Sequence, residues 1–214
     1  MRRIRVLIAD DHAILLDAFK RLLEPQYNVV GTVKDGQALL QAAESLAPDV
    51  IVADISMPLL NGLDAAERLK ERMPNTKLVF LTVNEDPHIA AEAIRRGAAA
   101  YVLKKSASAE LFEALGRVMH NLTYVTPAIA KDSSLDFVVE AKRSDPPRAL
   151  SLRQREVLQL LAEGKSMKES SVVLGVTPRT IAFHKYTMIK QLGLKNSAEL
   201  VQYAVAHGIV PPLR

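Results

Sequence analysis

Acidic side chains stand where two short apolar runs end: Asp10 and Asp11 follow the run 4–9, and Asp54 follows 50–53. The run 77–82 ends on a hydroxyl, Thr82, and the run 100–103 is followed by an ammonium, Lys104. Each run is apolar nearly throughout, as strands buried on both faces are. If the strands lie parallel in one sheet, these five side chains meet at its carboxyl rim, where ligands of such sheets bind. Three carboxylates crowded at one place are unstable without a cation, and Mg²⁺ favours one or two carboxylates plus water and phosphate oxygens. A hydroxyl and an ammonium at the same rim complete a phosphate site. A single Asp after a strand more often caps the next helix, but capping does not account for five residues in register on four strands.

The elements that must position them follow from periodicity. Strand candidates at 4–9, 28–33, 50–53, 77–82 and 100–103 alternate with helical patterns at 13–23, 37–46, 63–72, 88–96 and 109–120. Pro25, Pro48 and Pro74 punctuate the exits, and Gly97 follows Arg95-Arg96 as a helix C-cap. Five βα units predict a doubly wound α/β domain with a parallel five-stranded sheet over residues 1–123. Residues 124–147, ending in Ser144-Asp145-Pro146-Pro147, are expected to be a linker. Residues 148–214 predict an all-α domain of four helices. These are 152–162, 166–174 ended by Gly175, one opened by the Thr177 cap and Pro178, and 197–206. A helix, a Gly-containing turn and a helix form the helix-turn-helix pattern.

Charge assigns the second domain a partner. The chain of 214 residues carries a formal net charge of +4. Residues 1–125 carry a net −1, residues 126–147 another −1 and residues 148–214 a net +6, so the positive excess lies in the last third. Such asymmetry points to an anionic partner. On the helix opened by Thr177, Ile181, Met188, Ile189 and Leu192 form an apolar stripe, while Arg179, Ala182, Phe183, Tyr186 and Lys190 form the opposite face. In a DNA major groove, Arg179 and Lys190 would meet phosphates, and Ala182, Phe183 and Tyr186 would reach base edges or thymine methyls. A protein interface also favours aromatics and Arg; the basic charge favours double-stranded DNA. Lys185, at the edge of the stripe, is placed to reach a phosphate or to cover apolar surface. The last helix, with Leu200, Val201 and Ala204 on one side, either closes the domain core or supplies a dimer contact.

Zero Cys excludes disulfides, thiolate metal sites and cysteine nucleophiles. No apolar run is of bilayer length and no apolar leader follows Met1-Arg2-Arg3, so the expected location is cytoplasmic, with no membrane partner. Gly164-Lys165-Ser166 lacks the Gly of a phosphate loop where Gln159 stands, and His12, His88, His120, His184 and His207 are too scattered for a metal hydrolase.

Residues 1–123 resemble the receiver domain of a two-component response regulator, a flavodoxin-like (βα)5 fold. The resemblance rests on Ala9-Asp10-Asp11-His12, Asp54-Ile55-Ser56-Met57-Pro58 with Gly62, Leu81-Thr82, and Ala100 to Lys104. It implies that Asp54 accepts a phosphoryl group from a phosphohistidine of a cognate sensor histidine kinase. It further implies that Asp10, Asp11, Asp54 and the backbone carbonyl of Ser56 hold Mg²⁺. Lys104 would pair with phosphoryl oxygens, Thr82 would swing its hydroxyl onto them, and Tyr101 would rotate inward as Thr82 moves. Such a protein is no enzyme beyond its own phosphorylation and dephosphorylation.

Residues 148–214 resemble the DNA-binding domain of the LuxR/NarL class through Leu150-Ser-Leu152-Arg153-Gln-Arg155-Glu156-Val157-Leu158, Ser166-Met-Lys168-Glu169, and Thr177-Pro-Arg179-Thr180-Ile181-Ala-Phe-His184. Ala182 stands where that class usually has Lys, and Ser170-Ser171 where it often has Ile-Ala. Candidate DNA contacts are Lys168, Thr177, Arg179, Thr180, Ala182, Phe183, Lys185, Tyr186 and Lys190. Together the two resemblances imply a NarL/FixJ-type regulator of transcription that forms a homodimer when phosphorylated. Two alternatives are a DNA-binding factor whose receiver no longer responds to phosphate and, less favoured, a Mg²⁺-dependent phosphatase, for which no general acid with Asp-x-Asp spacing occurs.

Overall fold

The computed structural model describes residues 2–130 and 150–211. The first part alternates strands and helices: β1 (Arg5–Ala9), α1 (Ala13–Leu23), β2 (Asn28–Val33), α2 (Gly36–Leu46), β3 (Val50–Ala53), α3 (Gly62–Arg72), β4 (Lys77–Thr82), α4 (Pro87–Arg95), β5 (Ala100–Leu103) and α5 (Ala107–Met119). A short strand β6 (Tyr124–Val125) and a single helical turn α6 (Pro127–Ala130) follow. All pairings are parallel, in the order β2-β1-β3-β4-β5-β6. The sheet therefore continues past the expected five strands. Thr126 fastens that extension: its hydroxyl accepts from the Leu103 N–H at 3.1 Å and donates to Glu110 at 2.7 Å.

Side-chain alternation divides the apolar set between two faces. Leu7, Ile51, Phe80 and Tyr101 pack under α2, α3 and α4, and Val6, Ile8, Val52 and Val79 pack under α1 and α5. With both faces covered, β3 and β5 are buried along their whole length and β1 and β4 all but their first residue, which leaves the polar groups at their carboxyl ends at the rim. The helix starts are fixed by local chemistry: Asp35 accepts from the Ala38 N–H at 2.7 Å and Asn61 from the Asp64 N–H at 2.9 Å.

The second part holds α7 (Leu152–Ala162), α8 (Met167–Leu174), α9 (Pro178–Gln191) and α10 (Ser197–Ala206). Capping boxes open α7 and α8, through Ser151 with Gln154 and Ser166 with Glu169. Gly175, at φ +62°, ends α8 in the left-handed conformation, which turns the chain into the Thr177 cap of α9. Leu150, Val157, Leu158, Ile181, Met188, Leu200 and Ala204 form its core, so α10 closes this domain.

Candidate phosphoacceptor site and nucleic-acid interface

Parallel pairing brings the carboxyl ends of β1, β3, β4 and β5 to one rim. Asp10 and Asp54 are buried there and Asp11 is exposed. Lys104 reaches between them: its Nζ lies 2.6 Å from Asp10 Oδ2 and 2.7 Å from Asp54 Oδ2. Burial works to lower the Lys104 pKa, but Asp54 and Asp10 outweigh it and hold the ammonium above its ordinary value. The other Asp54 oxygen accepts from the Ile55 N–H at 2.6 Å. Ligand oxygens of Asp10, Asp11 and Asp54, with a ring nitrogen of His12, lie within 4.8 Å of one another. A hard-oxygen donor set of this kind fits Mg²⁺.

Thr82 is buried, and its Oγ1 accepts from the Asn84 N–H at 3.2 Å. Tyr101 is already fully buried, and its hydroxyl donates to the Asn84 carbonyl at 2.9 Å. Burial, then Asp86 and Asp54, push its pKa up, so it stays a neutral donor. Thr82 and Tyr101 thus hold two groups of one residue in the β4–α4 loop. Val83 points to solvent and Lys105 pairs with Glu85 at 2.7 Å, both away from Asp54. Gly62 fits where a side chain would not: a Cβ there would lie 2.4 Å from the Asp54 carbonyl oxygen.

On α9, Ile181 and Met188 are buried, whereas Phe183 and Tyr186 are 66% and 63% exposed. Arg179 and Lys190 are exposed beside them, as is Lys168 on α8. Thr177 and Thr180 are engaged with each other in the helix cap, their hydroxyl oxygens 3.0 Å apart. Ala182 is half-buried, and Lys185 lies over the Tyr186 ring at 5.9 Å. The receiver leaves this face open.

What the sequence did not reveal is a polar seam between the domains. Asp64 of α3, fully buried, meets Arg155 Nε of α7 at 2.7 Å and Arg96 at 2.5 Å. Arg155 also reaches Glu67 at 3.0 Å. Glu156, equally buried, pairs with Arg68 of α3 and with Arg153. One turn further along α7, the Gln159 amide accepts from the Asn61 N–H at 2.7 Å and donates to the Met57 carbonyl at 2.9 Å.

Comparison with known proteins accords with this geometry. Residues 6–116 match the family described as response regulator receiver domain, and residues 148–204 match bacterial regulatory proteins, luxR family. The transcriptional regulatory protein MctR of Rhizobium johnstonii is 34% identical over 210 residues, covering 97% of this chain and 96% of MctR. The chain belongs to the NarL/FixJ-type response regulators. The oxygen regulatory protein NreC of Staphylococcus carnosus is 34% identical to the regulator, covering 94% of this chain and 96% of NreC. Among solved structures, RcsB of Salmonella typhimurium matches with a TM-score of 0.64 at 28% identity, covering 96% of this chain and 98% of RcsB. A structure of two RcsB dimers bound to two parallel DNAs matches at 0.58 and 28%, covering 94% and 98%. The regulator is a two-component protein of transcription that pairs a receiver with a LuxR-type helix-turn-helix domain. Among its described residues no helix is long and apolar enough to cross a membrane.

Proposed function

We propose that Asp54 is the phosphoacceptor of this regulator, and that its phosphorylation by a cognate sensor histidine kinase switches dimerisation and DNA binding in the cytoplasm. The observation that carries this is one buried carboxylate, Asp54, held by Lys104 beside the Asp10–Asp11 pair. Asp10, Asp11, Asp54 and the backbone carbonyl of Ser56 would hold Mg²⁺, which when bound neutralises charge on the transferred phosphoryl group. An Asp54 oxygen attacks phosphorus, a P–O bond forms, and the P–N bond to the donor imidazole breaks, its electron pair leaving with the imidazole. Lys104 lets go of Asp54 to pair with the phosphoryl oxygens, and Thr82 turns its hydroxyl onto them. That movement releases the Asn84 N–H and loosens the loop that Tyr101 also holds. The changed receiver face, built from the fourth and fifth βα units or from α1 and α5, pairs two chains. Two basic domains then sit on two half-sites.

We assign residues 1–123 to the receiver, 124–147 to the linker and 148–214 to the DNA-binding domain, with β6 as the linker's anchored start. Arg179, Lys190 and Lys168 serve as phosphate contacts and Phe183, Tyr186 and Ala182 as groove contacts; Thr177, Thr180 and Lys185 flank them. The test is intact mass after incubation with Mg²⁺ and a small phosphodonor. Wild type gains one phosphoryl group and Asp54→Asn gains none; equal gain by both moves the acceptor elsewhere.

A further inference from the structure

The loop between β3 and α3 carries Ser56, whose carbonyl would be a ligand of the cation, and it is held from two sides. From within, the Met57 N–H donates to the Ile55 carbonyl at 3.0 Å, and the Gly62 N–H to the same oxygen at 2.7 Å. The Ser56 carbonyl and the Met57 N–H belong to one planar peptide unit, so the first of these bonds sets where that carbonyl points. The next peptide unit, which carries the Met57 carbonyl, is held from the other domain by the Gln159 amide at 2.9 Å. The same amide accepts from the Asn61 N–H at 2.7 Å and so spans the loop. Glu163, which accepts from Gln159 Nε2 at 2.8 Å, also takes the Leu59 N–H at 3.1 Å. Leu59 has φ +66°, a conformation that a non-glycine residue keeps only when its surroundings over-determine it.

Gln159 is 1% exposed. Its bonding groups are spent on the receiver loop and on Glu163. We propose that Gln159 and Glu163, both in the DNA-binding domain, are positioning residues for the receiver's cation and phosphoryl site. The inference rests on the assignment of Ser56 and Asp54 made above. Docked α7 holds the loop ready for the cation, and by thermodynamic linkage the bound cation strengthens docking. Seating of the other domain thereby tightens the receiver site.

The test uses the full chain. Mn²⁺ affinity is measured from the EPR signal of the free ion, and Mg²⁺ affinity by competition. Inter-site coupling commonly spans about 5- to 150-fold, and the loss of two of several hold points belongs at the low end, so Gln159→Ala/Glu163→Ala should bind about fivefold more weakly. The single Glu163→Ala should be weakened, whereas Glu163→Gln, which still offers Leu59 an acceptor, should stay within about twofold of wild type. Glu163 lies at the edge of the seam, so both single variants keep the fold, checked by circular dichroism. Phosphorylation of the double variant by a small phosphodonor should slow at low Mg²⁺ and recover at saturating Mg²⁺. Unchanged or tighter affinity in the folded double variant or in Glu163→Ala overturns the proposal alone. A wild type that binds no Mn²⁺ overturns the site assignment and the proposal with it.

Discussion

Arg155→Met, introduced into the full chain, removes three bonds at once: to Asp64 at 2.7 Å, to Glu67 at 3.0 Å and to the Leu150 carbonyl at 2.8 Å. Breaking a buried ion pair by removing one partner costs about 3–5 kcal/mol when the remaining charge is uncompensated. Asp64 keeps Arg96 at 2.5 Å and the Asn61 amide at 3.1 Å, so it is not left alone. The loss at Asp64 then falls to the low end of one charged hydrogen bond, about 1.5 kcal/mol, and the buried Leu150 carbonyl, losing its Arg155 donor, adds about 0.5–1.5 kcal/mol. Glu67, partly exposed and screened, adds little. A loss of about 2 kcal/mol corresponds to about 8–16 °C in the melting temperature of a domain of this size. Differential scanning calorimetry should show the helical domain melting earlier by that amount. A double-mutant cycle with Asp64→Asn isolates the share that crosses between domains from the bond to Leu150, which does not. A coupling energy below about 0.5 kcal/mol would refute the view that Asp64 and Arg155 hold the domains together.

Other outcomes follow from single side chains. Lys190→Ala should weaken binding to every DNA sequence and flatten the salt dependence, while Phe183→Ala should relax sequence preference; binding assays on specific and random duplexes over a salt series separate the two. Ser170 is fully buried and its hydroxyl, among the described residues, has no hydrogen-bond partner. Ser170→Ala should therefore raise stability to urea by about 1 kcal/mol. Burial, then the charge of Arg153, hold the His184 imidazole below its ordinary pKa. The unfolded chain then binds that proton more readily, so stability is present above about pH 6.5 and lost as the pH falls toward the depressed value. The helical domain should melt lower at pH 5.5 than at pH 7.5, and His184→Gln should shrink the difference.

The rim was legible because strands covered on both faces must be apolar throughout, which leaves Asp10, Asp54, Thr82 and Lys104 conspicuous at their ends. The open face of α9 was legible for the complementary reason: a helical period that buries Ile181 and Met188 leaves Phe183 and Tyr186 with no core to enter. β6 was not, since two residues, Tyr124 and Val125, show no period. Whether Leu200 and Ala204 close a core or face a partner is a matter of contacts between elements, and only the fold places them inside. The seam was hidden most fully. Arg155, Glu156 and Gln159 are polar in sequence, as a solvated helix face is, and their burial depends on a surface about 90 residues away in the chain. Local pattern carries no record of a partner that matches polar with polar.

The charges of that seam have a consequence for anyone who would recombine such proteins. α3 offers an acid, Asp64, and one turn later a base, Arg68; α7 answers with Arg155 and Glu156 in the opposite signs. A helix-turn-helix domain borrowed from another regulator brings its own sequence of signs to that surface. Where the signs clash, the chimera would keep two well-folded halves that no longer speak to each other, and a regulator assembled from standard parts would lose its signal at the joint. Compatibility can be judged before assembly from four side chains.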